Sequence, residues 1–229
     1  MKNIVVFTGA GISKESGIKT FRDGDDSYWS KYKIEDVATK EGWKKDKELV
    51  LDFYNKMHLD MGNYEPNDAH KKLARLDKDY NVTVITQNVD DLHEKAGSKN
   101  VLHLHGELNK KRSTNKGKIY DWDKNETINL TDKAEDGSRY RPHIVWFGEY
   151  PYNIQESVDK LKTADYLIII GTSLQIGYVT PLLGGVNKNT KTFFLNPEKV
   201  TYLDSFLKDI EYIEKTAIDG IDEIIEKLK

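Results

Sequence analysis

Ile4-Val5-Val6-Phe7-Thr8-Gly9-Ala10-Gly11-Ile12-Ser13 opens on four apolar residues, three of them β-branched, and breaks into a glycine turn. A short, nearly continuous apolar run of this kind reads as a strand buried on both faces, as in a parallel sheet. Two more runs repeat the pattern. Val82–Ile85 ends at Thr86-Gln87-Asn88, and Leu167–Ile170 ends at Gly171-Thr172-Ser173. Thr192–Leu195, ending at Asn196-Pro197, is a fourth candidate. Helical periodicity lies between them, over Glu48–Leu59, Ala69–Leu76, Ile154–Leu161 and Ile218–Leu228. Alternating strands and helices predict an α/β fold built on a Rossmann-type parallel sheet. In such sheets ligands sit at the carboxyl ends of the strands, where the small and polar loops fall.

Two stretches break the alternation. Residues 24–79 are mainly helical and aromatic, and residues 109–141 are polar. Both read as insertions that form a smaller lobe. The division expected is a single domain over 1–229, with a large lobe of 1–23, 80–108 and 142–229 and a small lobe of 24–79 and 109–141.

Composition excludes several classes. The 229 residues carry a net charge of −3, so nothing marks a nucleic-acid or acidic-membrane binder. The densest basic run, Lys110-Lys111-Arg112, reads as a solvated loop. With no cysteine there are no disulfides, thiolate nucleophiles or cysteine metal sites. The N-terminal apolar run is too short for a secretory signal, and no run approaches the ~20 residues of a membrane span. A cytoplasmic protein is expected.

Three polar runs carry candidate chemistry. Gly9-Ala10-Gly11 follows a strand, with a helix able to start near Ser13; the glycines could admit a pyrophosphate, or serve a tight turn without ligand. The third glycine of the usual dinucleotide fingerprint is replaced by Lys14. Thr86-Gln87-Asn88-Val89-Asp90-Asp91-Leu92-His93 offers amide and carboxylate groups to a polar ligand, or else caps a helix from Leu92. In Leu102-His103-Leu104-His105-Gly106-Glu107, two histidines share one side of an extended segment. A metal pair lacks a third ligand; a lone general base and a structural histidine both remain open.

These runs, taken in order, resemble the sirtuins. Arg141-Pro142-His143-Ile144-Val145-Trp146-Phe147-Gly148-Glu149 is similar to that family's substrate loop, closest to the bacterial class carrying Trp-Phe-Gly-Glu. Gly171-Thr172-Ser173-Leu174-Gln175 resembles its phosphate-contacting turn, and Phe194-Leu195-Asn196 its ribose-binding strand end. The resemblance implies an enzyme that consumes NAD+ to remove acyl groups from protein lysines, giving nicotinamide and O-acyl-ADP-ribose. It implies that Gly9, Ala10 and Gly11 face the pyrophosphate, with Arg22, Gly171, Thr172 and Ser173 near the phosphates. Gln87 reaches the nicotinamide ribose, and Asn196 the adenine ribose. Ser13, Ile18, Asn88, Val89 and Asp90 form the nicotinamide pocket, and Phe21 covers the vacated site. His105 is the base that deprotonates the ribose, with Asn88 as the second catalytic residue. Trp146, Phe147, Gly148 and Glu149 receive the acyl-lysine peptide as an added strand. A protein or peptide is the only partner implied, with no nucleic acid and no membrane, and a monomer is expected.

The chain departs from the family in three places. The four zinc cysteines are missing and Ser113 stands where the first belongs, so a zinc-free module anchored by Tyr120, Trp122 and Ile128 is predicted. The bacterial class binds acidic acyl groups with an alanine, a tyrosine and an arginine; here Ala38 and Tyr54 match, but Met57 replaces the arginine. A thioether cannot pair with a carboxylate, which costs an acidic substrate about 1.5–3 kcal/mol. A roomy, neutral pocket for acetyl or longer apolar groups is therefore expected. Finally, Ile176-Gly177-Tyr178-Val179-Thr180-Pro181 replaces the usual continuation after Gln175. The rival activities are protein ADP-ribosyl transfer, NAD+ hydrolysis, or a non-catalytic NAD sensor.

Overall fold

The computed structural model describes residues 1–18, 32–175, 177–205 and 207–229. Among them, six strands form a parallel sheet. In chain order these are β1 (Asn3–Thr8), β2 (Asn81–Thr86), β3 (Val101–His103), β7 (Tyr166–Ile170), β8 (Lys191–Leu195) and β9 (Ile210–Ile213). They are arranged β3-β2-β1-β7-β8-β9, with every described pairing in this sheet parallel. Alternate residues of each strand point to opposite faces, and both faces are covered. Ile4, Val6, Val82, Val84, Ile168 and Ile170 enter one core with α5 (Asp68–Arg75) and α9 (Ala217–Leu228). Val5, Phe7, Ile85, Leu167 and Ile169 enter another with α7 (Ile154–Lys162) and α8 (Val179–Leu183). This double burial is why the strand sequences read as unbroken apolar runs rather than alternating ones.

The second lobe has its own core. Helices α2 (Ile34–Val37), α3 (Lys40–Lys45) and α4 (Lys47–Met61) pack against an antiparallel sheet ordered β5-β4-β6, made of β4 (Gly106–Ser113), β5 (Ile119–Asp121) and β6 (Tyr140–Ile144). Asp46 starts α4 by accepting the Leu49 amide at 2.9 Å, an N-cap bond that satisfies one orphan donor of the first turn. Val50, Phe53, Tyr54 and Met57 face Leu108, Trp122, Ile128 and Trp146.

Packing corrects the expected division. Ala69, Leu73 and Leu76 lie in the core of the large sheet, so α5 belongs to the large lobe and not to a small lobe ending at 79. The boundary at 108 cuts through β4, and Ile144 and Trp146, assigned to the large lobe, pack in the second core. Lys110-Lys111-Arg112 is likewise no solvated loop. It lies in β4, where Lys110 pairs with Glu107 at 2.9 Å, Lys111 with Glu126 at 2.5 Å and Arg112 with Glu149 at 3.5 Å.

Where the resemblance places zinc, hydrogen bonds hold the chain. Ser113 and Lys118 bond reciprocally, amide to carbonyl at 2.9 Å and amide to hydroxyl at 3.2 Å. Asp136 accepts from the Ser138 hydroxyl and amide at 2.7 and 3.0 Å and from the Lys116 amide at 3.2 Å. These donors, Ser138 first, hold its carboxyl at about 2. Among the described residues no group of three or more His, Cys, Asp or Glu could hold a metal, so the side chains present do not fit a zinc site. The anchors include Trp122 and Ile128, each 2% exposed, as the sequence leads one to expect. Beside them stands His58, whose ring stacks on Trp122 at 3.9 Å and 5° and bridges the carbonyls of Leu108 and Asp123, each at 2.9 Å. No helix among the described residues is long and apolar enough to cross a membrane.

His58→Ala leaves a cavity under Trp122 and removes the ring hydrogen-bonded between two carbonyls. It is expected to destabilise the protein by about 2–4 kcal/mol, a fall of roughly 5–12 °C in melting temperature. A strong chelator is expected to leave the wild-type melting curve unchanged. Calorimetry of the two samples checks both statements.

Candidate functional site

The strand order reverses between β1 and β7: from β1 the chain moves outward to β2 and β3, then returns to build β7, β8 and β9 on the other side. Loops leaving such a switch point diverge and open a crevice. Here the β1 and β7 turns also touch. Gly9 donates its amide to Ile170 at 3.1 Å and Gly11 donates to Gly171 at 2.8 Å. A Cβ on Gly9 would stand 2.7 Å from the Thr172 Cβ, and one on Gly11 2.6 Å from the Gly171 Cα. Both glycines are therefore required by the facing turn. The amides of Gly9 and Gly11 are both engaged in this turn-to-turn contact. The helix expected near Ser13 is the single turn α1 (Gly11–Lys14), with no side-chain cap at Ala10. One turn carries little of a helix dipole.

Across the crevice, the loop after β2 supplies a hydrogen-bonded polar set. Asn88 Nδ2 donates to the Ser13 hydroxyl at 3.2 Å, and that hydroxyl donates to Asp90 Oδ2 at 3.1 Å. Asp90 Oδ1 accepts the Leu92 amide at 3.1 Å, starting the short helix α6 (Leu92–Lys95). Asp90 thus meets the first amide of α6, as the capping reading expects, while Ser13, Asn88 and Asp90 bond one another. Burial pushes the Asp90 carboxyl up from 3.8 to about 6, against the opposing pull of Leu92 and Ser13. Val89 and Ile18, each 6% exposed, form an apolar edge, and Val89 accepts the Leu108 amide at 2.8 Å. Gln87 Oε1 accepts from the Thr172 hydroxyl at 2.8 Å, tying the β2 loop to the β7 loop. Ser173 is exposed beyond it. Asn196 follows β8 at the same sheet end, but its side chain donates to the Glu198 carbonyl at 2.7 Å. Phe21 and Arg22 lie outside the described residues.

The two histidines have separate tasks. His103 places Nδ1 on the Asn88 carbonyl at 2.9 Å and Nε2 on Glu94 at 2.8 Å. Burial opposes its charge, but Glu94 and the Asn88 carbonyl outweigh burial and raise its pKa. It braces the loop and excludes the metal pair, since both nitrogens are engaged. His105 places Nδ1 on the Gln87 carbonyl at 2.7 Å and Nε2 on the Tyr178 hydroxyl at 2.5 Å. Burial lowers its pKa, which favours the neutral ring and leaves Nε2 without a proton. Gly106, next along, takes φ +84 and would clash with the His143 carbonyl if it carried a Cβ, 2.0 Å away.

The residues expected to receive an acyl-lysine divide sharply. Phe147 is 54% exposed, and its amide donates to the Ala38 carbonyl at 2.9 Å. Gly148 follows, exposed, at φ +83. Trp146, by contrast, is 2% exposed, with Arg141 lying 3.2 Å from its ring centroid and its indole N–H on the Tyr54 hydroxyl at 3.1 Å. Ala38, Tyr54 and Met57 are buried in the same core, at 4%, 3% and 2% exposure. The roomy pocket expected around Met57 is therefore filled by packed side chains. Glu149 also turns inward: its carboxylate takes both Arg141 guanidinium nitrogens at 2.9 and 3.1 Å and the Trp146 amide at 2.9 Å. Burial would raise its pKa, but these donors lower it. It shapes the loop and offers no free carboxylate to a peptide.

A model of the Sir2 family matches residues 9–178, which takes in every polar group of this crevice except Asn196. The chain belongs to the Sir2 family. This Sir2 protein is similar to a NAD-dependent protein deacylase of Helicobacter pylori, 45% identical over all of this chain and 98% of the relative. It is also similar to one of Bacteroides thetaiotaomicron, 44% identical with the same coverage. Its fold matches a crystal structure of a Sir2 homologue–NAD complex with a TM-score of 0.84, at 32% identity and covering 99% of this chain and 89% of that one. A mutant Sir2 homologue in complex with ADP-ribose matches at 0.86, with 33% identity and coverage of 98% and 91%.

Sequence reasoning missed Tyr178 and His58. The altered stretch after Gln175 was the available signal for Tyr178; a lone histidine inside a helix carried none for His58.

The raised pKa makes Asp90 a cost to folding. Its folded value lies above its unfolded one, so the ionised carboxyl weakens the fold as pH rises from about 4 through about 6. Asp90→Asn of this Sir2 protein is expected to be more stable than wild type at about pH 8 by about 1–3 kcal/mol. The gain should vanish below about pH 3, and urea melts at both pH values check it.

Proposed function

We propose that this protein is a NAD-dependent protein-lysine deacylase in which His105 is the general base. The observation that carries the reading is the crevice itself: Ser13, Asn88, Asp90, Gln87 and a neutral His105 converge at the switch point of a Sir2-family sheet. NAD+ is the co-substrate. Family membership and the Sir2 homologue bound to NAD support that choice. On this reading the Ser13–Asn88–Asp90 set holds the nicotinamide carboxamide, with Ile18 and Val89 closing its apolar side. Ala10, Thr172, Ser173 and Asn196, with Phe21 and Arg22, serve the remainder of the dinucleotide.

The chemistry needs positioning more than a strong nucleophile. Nicotinamide leaves as a neutral molecule while the acyl oxygen of the modified lysine attacks the ribosyl carbon. That oxygen is weakly nucleophilic, so holding it in line supplies much of the acceleration. His105 then takes a ribose hydroxyl proton at Nε2, letting that oxygen attack the O-alkyl imidate. General-base assistance of this kind is worth about 10²–10⁴-fold. The peptide adds as an extended strand beside Phe147 and Gly148. A Sir2 enzyme solved with a deacetylated p53 peptide and 3′-O-acetyl-ADP-ribose supports this partner class; it matches with a TM-score of 0.80, at 27% identity and covering 98% of this chain and 92% of that one. Met57 disfavours acidic acyl groups, and with Ala38, Tyr54 and Trp146 packed around it, the neutral acyl pocket opens only as the substrate enters. The absence of cysteine supports a module that works without zinc.

Mass spectrometry of purified protein with NAD+ and acetyl-, butyryl-, longer apolar and succinyl-lysine peptides tests the reading. Acyl-dependent release of nicotinamide with O-acyl-ADP-ribose is expected, with acetyl and apolar chains removed at least about 10-fold faster than succinyl, as the loss of one charge-assisted bond implies. Free ADP-ribose, or ADP-ribose attached to protein, would instead assign NAD+ hydrolysis or transfer.

A further inference from the structure

We propose that Tyr178 is a positioning residue for His105: its phenol holds the imidazole in the Nδ1–H tautomer and reserves the point at Nε2 where a substrate hydroxyl would bind. The inference rests on His105 being the base, and it adds a residue from the stretch after Gln175 that departs from the family pattern.

Proton bookkeeping at the two imidazole nitrogens carries the argument. The Gln87 carbonyl only accepts, so His105 Nδ1, 2.7 Å away, must carry the proton. With Nδ1 carrying the proton, the neutral ring can only accept at Nε2. That nitrogen is bare, so the phenol 2.5 Å away donates its proton to it. The rings meet edge to face, with centroids 5.8 Å apart and planes at 89°, so the phenol approaches along the imidazole lone pair without stacking over it.

The two remaining observations agree. Burial raises the Tyr178 pKa, keeping it a donor, and lowers that of His105, keeping it an acceptor. Among the described residues, the groups that act on the imidazole are the Gln87 carbonyl and this phenol, with no carboxylate against the ring. An imidazole nitrogen has one lone pair, so a substrate hydroxyl reaching Nε2 must take the phenol's place. One O–H···N bond is then exchanged for another, and His105 keeps its tautomer and rotamer throughout. Tyr178 also stands three residues beyond Gln175, at the start of α8, which couples the base to the loop where the peptide strand would lie.

Nitrogen-15 NMR of the imidazole in the full, ligand-free chain tests the inference without any turnover. In wild type, His105 is expected as a single Nδ1–H tautomer titrating below pH 6.5. In Tyr178→Phe, which keeps the ring and its edge contact, loss of the donor to Nε2 should raise the His105 pKa measurably and admit the second tautomer. An Nε2–H tautomer in wild type, or an identical titration in Tyr178→Phe, would overturn the proposal. Because the readout is independent of deacylation, it stands or falls separately from the role of His105 in catalysis.

Discussion

The close contact between the turns after β1 and β7 is the constraint on which the rest of the molecule depends. Two amides of one turn bond to the carbonyls at the start of the other, and a methyl group on Gly9 or Gly11 would collide there. The contact closes the floor of the switch-point crevice. It fixes the height of Thr172, and through the Thr172–Gln87 bond it fixes the β2 loop. From Gln87 the chain of positions continues through the His105 ring to Tyr178. On the proposed reading, preorganisation of this kind lets one weak nucleophile and one ordinary base suffice.

The second lobe reaches the same rigidity by different means. With no cysteines, its sheet is pinned by an aromatic stack, His58 on Trp122, and by the hydrogen-bonded turn around Asp136. The Arg141–Glu149 pair, with Trp146 beneath the guanidinium, sets the loop that presents Phe147 and Gly148. Removing one partner of such a pair would leave a buried charge uncompensated, so the loop's shape and the core's integrity are one property.

Much of this was legible in the sequence, for identifiable reasons. The parallel strands announced themselves because burial on both faces requires unbroken apolar runs, as in Leu167–Ile170. The polar loops after Thr8, Thr86 and Ile170 fell at the strand ends that a doubly wound sheet brings together. The parts that escaped depend on three-dimensional partners. The close packing that requires Gly9 and Gly11 could not be read locally, because Thr172 and Gly171, which they face, lie far along the chain. Glu149 and Trp146 read as substrate contacts, yet Arg141 draws both inward. The lobe boundary at 79 failed because α5 carries the same amphipathic signal whichever core it covers, and only packing against α9 decides.

The central claim is that a neutral His105, held through Nδ1 by the Gln87 carbonyl, is the base of the reaction. The most direct measurement compares His105→Ala with wild type in two assays, NAD+ binding by calorimetry and turnover of an acetyl-lysine peptide. The account predicts NAD+ affinity within a few-fold of wild type and a loss of turnover of about 100-fold or more. Turnover preserved in His105→Ala would contradict it.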